Sequence, residues 1–136
     1  MARKTSIELD WADGTYLFHL DIPRLKELQE RCDAGPPEVL KRLVEGRARV
    51  EDAQETVRLG LIGGGLPAPQ AAKLVRLYAG DETPLAEVIA VAILVLGAAV
   101  LGNAGEEVTR QGNREAAISS PSMTAASTSP PSAPTP

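Results

Sequence analysis

The chain has 136 residues, a net charge of −4 and only 3% aromatic residues. Its basic residues are spread among the acidic ones, whereas a nucleic-acid surface usually needs a basic stripe and stacking rings, so we expect no nucleic-acid partner. The single cysteine, Cys32, excludes an intrachain disulfide and fits a reducing compartment. The first residues, MARKTSIELDW, lack the apolar segment of a secretory signal, and we therefore expect a protein that is not secreted.

The composition divides the chain into two parts. Residues 106–136 are polar and then rich in Ser, Pro, Thr and Ala, and from Ser119 onward no side chain is charged. Such a segment cannot bury enough apolar surface to offset the entropy of ordering, so we expect a disordered tail. Residues 1–105 are expected to form one small domain made of a hairpin and helices.

The domain begins with a predicted β-hairpin. In residues 7–11 and 16–20, apolar side chains alternate with polar ones, and the short loop between these runs contains Gly14. Two alternating runs joined by such a loop are typical of antiparallel strands. We expect Trp11 and Phe18 to lie on the face of the hairpin that packs against the rest of the domain.

Five short helices are predicted after the hairpin. The first begins near Asp21 and Pro23, which suit a helix start, and ends at Cys32. Asp81 or Thr83 is expected to cap the last helix. The second, third and fourth helices follow from apolar periodicity at about 39–44, 51–61 and 71–78. The predicted fold class is mainly α (α+β), with a short N-terminal hairpin followed by about five helices, the last of them apolar all round.

The glycine run between the third and fourth helices, GLIGGG, invites comparison with a phosphate-binding loop. That chemistry needs backbone amides at the start of a helix that follows a strand, with Lys and Ser or Thr next in the P-loop case. Here the glycines follow a helix, and Leu66 and Pro67 come after them. We interpret Gly63, Gly64 and Gly65 as a helix C-cap and a flexible hinge.

No catalytic, cofactor-binding or metal-binding constellation is predicted. A zinc site uses four ligands, which the lone His19 and the lone Cys32 cannot supply, and no nucleophile signature surrounds Cys32. The helical carboxylates alternate with Lys and Arg, a pattern typical of a solvated surface. These helical carboxylates are Glu27, Glu30, Glu51 and Glu55. We therefore expect no enzymatic activity, no cofactor and no metal.

Residues 88–102, VIAVAILVLGAAVLG, contain no charged side chain. This run has 15 residues, fewer than the roughly 20 that a helix needs to span a bilayer. No Lys or Arg lies close to either end, and no aromatic belt is present. A small membrane-anchored protein that uses residues 88–102 is retained as an alternative hypothesis.

As a helix, the same run is apolar around its whole circumference. Such a helix must be enclosed on every side, and a domain of this size has too little material to do so. We therefore expect an exposed apolar patch and self-association. The residues predicted to bind a partner are Val88, Val91, Leu94, Val95 and Leu101.

The order of several motifs resembles a known family. The stretches DGTYLFHLDIPRLKELQERCDAGPPEVLKRL, VEDAQETVRLGLIGGGL, AAKLVRLY and PLAEVIAVAILVL are similar to the tail assembly chaperones of gene transfer agents and long-tailed, siphovirus-like phages. This family has also been labelled a tail tube protein family. The resemblance covers about residues 5–102, and its most telling piece is ETVRLGLIGGG with the helix that begins near Ala71.

The resemblance implies a non-enzymatic role in tail assembly. Such chaperones coat the hydrophobic tape measure protein in the bacterial cytoplasm before tube subunits polymerise around it. The expected partner is therefore the tape measure protein, with tail tube subunits as a further candidate. A structural tail component retained in the particle is the first alternative. A tube subunit should be rich in long strands, however, and only one hairpin is predicted here.

Overall fold

The computed structural model describes residues 4–103. The order of elements confirms the predicted fold class, a hairpin followed by five helices. The described residues belong to one unit that ends at Asn103, and the predicted tail, residues 106–136, lies outside them, as does the predicted boundary at 105. The elements are β1 (Ser6–Trp11), β2 (Gly14–His19), α1 (Ile22–Cys32), α2 (Pro36–Val44), α3 (Val50–Gly63), α4 (Ala68–Tyr78) and α5 (Leu85–Leu101).

The hairpin is antiparallel, with Ile7 opposite Phe18 and Trp11 opposite Gly14. Its loop therefore consists of two residues, and the first of them, Ala12, has a positive φ of 57°. Loops of this length favour positive φ because the resulting twist matches that of the strands. The alternation seen in the sequence places one set of side chains in the core. Its buried members are Ile7, Leu9 and Phe18.

Helix α3 lies at the centre of the domain and packs against β2 and all four other helices. Gly60 makes this position possible. A Cβ atom there would lie 2.8 Å from Val95 Cγ1 of α5 and 3.2 Å from Cδ2 of Phe18. Because glycine has no Cβ, the backbone of α3 approaches both elements closely.

The C-terminal end of α3 meets the outer edge of β2. A Cβ atom on Gly63 would lie 1.7 Å from the His19 carbonyl oxygen, and one on Gly64 would lie 1.9 Å from that of Leu17. Gly64 is the C-cap residue, which confirms the predicted cap, although the helix runs two residues beyond the expected Leu61. Close packing therefore requires glycine at two of the three positions, while the hinge stays a prediction.

The predicted helix starts are confirmed for α1 and wrong for α5. Asp21 is the N-cap residue of α1, and its carboxylate accepts a hydrogen bond from the Arg24 amide at 3.0 Å. The N-cap residue of α5 is Pro84, which makes no side-chain cap. The Thr83 hydroxyl instead donates to the Tyr78 carbonyl at 3.0 Å, so it satisfies the end of α4.

A buried carboxylate joins the first three helices. Asp52, in the first turn of α3, accepts from the Arg49 amide at 2.8 Å and forms an ion pair with Arg42 of α2 at 3.4 Å. The same Arg42 donates to the carbonyl of Cys32 at the end of α1 at 3.3 Å. Since a buried carboxylate is costly unless it is paired, these bonds fix how the helix ends meet.

The two ends of the described chain are joined by hydrogen bonds. The Lys4 amide donates to the Asn103 carbonyl at 3.1 Å, and the Asn103 amide donates to the Lys4 carbonyl at 2.7 Å. The Asn103 side chain donates to the Ser6 carbonyl at 3.0 Å. Gly102, with a positive φ of 93°, lets the chain leave α5 and reach the edge of β1. The end of α5 is thereby attached to the hairpin.

Candidate partner-binding surface

The inner face of α5 is part of the core. It packs against α2, α3 and the hairpin. Helix α3 approaches this side of α5 closely at Gly60, where the missing side chain leaves room for Val95. The buried members are Val88, Ala92, Val95, Leu96 and Ala98.

The opposite side of α5 is exposed and also apolar. Leu94 is 48% exposed and Leu101 is 69% exposed. A rotation of 100° per residue places Ala90, Leu94 and Leu101 within about 40° of one another around the helix. Apart from the exposed Glu87 near the N-terminal end of α5, the side chains on this side carry no charge and no hydrogen-bonding group. We call this surface the outer face: Ala86, Ala90, Ile93, Leu94, Gly97 and Leu101.

The predicted partner-binding residues do not lie on one surface. Val88 and Val95 are buried in the core, so they are not available to a partner while the domain is folded. Val91 is half-buried, and Leu94 and Leu101 lie on the outer face. Sequence reasoning missed four members of that face, the first of them Ala86, because an all-apolar helix has no polar side to mark its orientation. The other missed residues are Ala90, Ile93 and Gly97.

A cleft lies beside the N-terminal half of α5, between the hairpin loop and the end of α4. Its volume is about 290 Å³. The Trp11 ring at its wall meets the Tyr78 ring edge to face, with centroids 6.2 Å apart. No sequence signal could have brought these aromatic residues together with α5. The lining residues are Trp11, Ala12, Tyr78, Thr83, Glu87, Val88 and Val91.

His19 and Cys32 have separate surroundings. The His19 ring hydrogen-bonds the Thr5 hydroxyl at 3.0 Å. Burial, followed by the hydrogen bond and charge of Asp52, raises the pKa of the Cys32 thiol to about 12, so the thiol is neutral at physiological pH. A neutral, buried thiol is a poor nucleophile. Among residues 4–103, no three His, Cys, Asp or Glu side chains come together in a way that could hold a metal ion.

Two of the four helical carboxylates considered in the sequence, Glu27 and Glu55, form ion pairs with arginines. Glu55 lies 2.6 Å from Arg58 within α3 and 3.5 Å from Arg31 of α1. Glu27 of α1 lies 3.2 Å from Arg31. The more exposed Arg31–Glu27 pair contributes at most about 1 kcal/mol. The network links α1 and α3, because Glu27 and Glu55 share the same two arginines, Arg31 and Arg58.

Fold and surface define a small α+β domain that presents an apolar helix face. The family model described as phage tail tube protein, GTA-gp10, matches residues 4–102, from the start of the hairpin through the whole of α5. The chain belongs to this family, and it is thus a phage or gene transfer agent tail protein. The predicted resemblance is confirmed at this level. No curated protein and no solved structure matches the chain.

The membrane hypothesis concerned α5. Within residues 4–103, no helix combines the length and the apolar character needed to cross a bilayer.

Proposed function

We propose that this tail protein is an assembly chaperone that covers apolar segments of the tape measure protein until tube subunits polymerise. The observation that carries the proposal is the outer face of α5, which is apolar from Ala90 to Leu101 and exposed at Ala90, Leu94 and Leu101. Contiguous apolar surface on a small domain usually marks a binding site. The role requires no reaction, cofactor or metal, and it places the protein in the bacterial cytoplasm while tails assemble.

The shape of the outer face suits a helical client. Ala90 and Gly97 are seven residues apart, so they lie on the same side of α5 and about 10 Å from each other along its axis. Their small size lets the backbone of a second helix approach closely, with Leu94 between them as a contact. An amphipathic or apolar helix laid along such a surface is an established mode of recognition.

Binding through this face should be reversible. A single copy buries only a few apolar side chains, which gives modest affinity, while many copies along one long client add avidity. The interaction should show a negative heat-capacity change and little dependence on salt, because it buries apolar surface and pairs few charges. Arriving tube subunits can then displace the copies one after another.

A structural tail component retained in the particle is the second candidate. The description of the family as a tail tube protein favours it. Tube subunits are expected to polymerise through long strands, whereas the described residues contain one two-stranded sheet. Copy number in purified particles separates the two roles. A tube-like copy number supports the structural component, and absence from mature particles supports the chaperone.

Leu94→Glu combined with Leu101→Glu should abolish co-solubilisation of the tape measure protein. Full burial of each leucine contributes about 1.5–3 kcal/mol, so the double change should weaken binding by well over tenfold. Both side chains are exposed, and the variant itself should therefore stay folded. The measurement is the amount of soluble tape measure protein after co-expression, together with the fraction of tailless heads.

Leu77→Glu is the matched control for this experiment. Leu77 is 53% exposed, close to the value for Leu94, but it lies on α4. The control should solubilise the client as well as the unmodified protein does. Equal loss in both variants would show that any added charge is harmful and that α5 has no special role. Tails of normal length in a strain without the gene would contradict both the chaperone and the structural role.

The outer face also predicts self-association of the free protein. Without a client, two copies can bury their outer faces against each other. Leu94→Glu should raise the monomer fraction in sedimentation experiments while the helix content, measured by circular dichroism, stays unchanged. A clean monomer for the unmodified protein at high concentration would show that two outer faces do not bind each other.

A further inference from the structure

We propose that the cleft beside α5 receives an arginine or lysine side chain of the helical partner, and that this contact fixes the direction in which the partner lies. The inference rests on the proposed function, because the partner is the client of the outer face. It adds a charged contact at one end of a surface that is otherwise apolar. The inference is based on three residues of the cleft, Trp11, Tyr78 and Glu87.

The walls of the cleft suit a long cationic side chain. Trp11 comes from the end of β1 and Tyr78 from the end of α4, and their rings meet at an interplanar angle of 67°. Aromatic rings attract cations, and tryptophan does so most strongly. Val88 and Val91 line the same cleft from α5 and can contact the aliphatic part of the side chain. A volume of about 290 Å³ accommodates a side chain of this length.

Glu87 supplies the negative charge. It is the only charged residue of α5, it is exposed, and it lines the cleft. Within the described part of the chain Glu87 forms no salt bridge, whereas carboxylates on other helices, such as Glu38 and Glu55, are paired with arginines. A carboxylate that is free at the rim of an aromatic cleft is a ready counter-ion for a partner's cation.

The cleft and the outer face belong to one continuous surface. Val91 lines the cleft one helical turn after Glu87, and Leu94 begins the exposed part of the next turn. A client helix that covers Leu94 and Leu101 therefore meets the Glu87 carboxylate at the N-terminal end of α5, whereas the C-terminal turns of α5 itself carry no carboxylate. The geometry selects client segments that carry a basic residue at the end lying near Glu87.

The test uses two synthetic helical peptides and the intrinsic fluorescence of Trp11, the only tryptophan in the chain. Both peptides contain the same apolar sequence of alanine and leucine, and they differ at one position near an end, which is arginine in one and methionine in the other. The arginine peptide should bind about three- to tenfold more tightly, a range set by typical cation–π and surface ion-pair strengths. Its binding should also change Trp11 emission.

Glu87→Gln should remove most of the preference for arginine and leave the affinity for the methionine peptide unchanged. Glu82→Gln is the matched control, because Glu82 is exposed just before α5 and does not line the cleft. This control should retain the full preference. Circular dichroism should show the same helix content for both variants and the unmodified protein.

Three results would overturn the inference. Equal affinity for the two peptides would mean that the cleft takes an apolar side chain, and equal effects of Glu87→Gln and Glu82→Gln would mean that only net charge matters. The proposed function survives both results because the peptides still bind the outer face. Failure of both peptides to bind the unmodified protein would contradict the role of the cleft and the proposed function together.

Discussion

Phe18→Ala should remove a large part of the stability of the fold. The Phe18 side chain is fully buried, and its ring packs edge to face against Trp11 with centroids 5.8 Å apart. Across from it lies Gly60, which has no side chain that could move into the space left behind. Truncating a buried phenylalanine costs about 3–5 kcal/mol, against a total of about 5–15 kcal/mol for a typical domain. The measurement is the urea midpoint of unfolding.

Leu17→Ala is the control on the same strand. Leu17 is the preceding residue, and its side chain is exposed on the opposite side of the hairpin. Its truncation should change the free energy of unfolding by less than about 1 kcal/mol. Trp11→Ala should fall between the two because Trp11 is only half-buried. Similar midpoints for Phe18→Ala and Leu17→Ala would show that the hairpin does not carry the core.

Gly63→Ala should destabilise the protein strongly although it adds a single methyl group. That group would lie 1.7 Å from the His19 carbonyl oxygen, a backbone atom that cannot turn aside as a side chain can. Either α3 or β2 must shift, and overpacking of this kind costs about 1–3 kcal/mol or more. For a domain of about 100 residues, this corresponds to a fall in melting temperature on the order of 10 °C.

Gly97→Ala should, in contrast, increase the stability of the domain. Gly97 lies inside α5, and nothing comes within 4 Å of the position that its Cβ atom would take. Alanine in a helix interior is more stable than glycine by about 0.5–1 kcal/mol, so the melting temperature should rise by a few degrees.

For the Gly63→Ala variant, an unchanged melting temperature would contradict the packing role of Gly63. The predicted hinge would then be the remaining reason for glycine at this position.

The secondary structure could be predicted because local patterns determine it. Alternating side chains with a short loop gave the hairpin to within two residues, and Asp21 marked the start of α1. The end of α3 was misplaced because glycine is a poor helix former, and Gly63 stays helical since it packs against β2. Contacts with β2 therefore determine where α3 ends, and a local sequence pattern gives no information about such contacts.

The orientation of α5 could not be predicted. A helix with a polar side reveals which side faces the core, whereas α5 is apolar on both sides. The tertiary packing orients the helix, and it places Val95 against the bare backbone at Gly60 while Leu94 points to solvent. The predicted partner-binding set was therefore divided between the core and the outer face.

The cleft could not be predicted either. Trp11, Tyr78 and Glu87 come from three elements, and the first is more than 60 residues from the other two. A lone tryptophan in a hairpin is as consistent with a core position as with a binding site. Only the packing of α4 and α5 beside the hairpin brings the two rings and the carboxylate to one place.

The hydrogen bonds between Lys4 and Asn103 have a consequence for the topology of the domain. Because its two ends lie side by side, the path of the backbone is nearly a closed ring. A short linker could join the ends, and the ring could be reopened at the exposed turn after α2, around Gly46, as circularly permuted proteins allow. In such a chain α5 would run directly into β1 and become an internal element. The position of α5 as the last of the described elements is thus independent of the contacts that hold it in the domain.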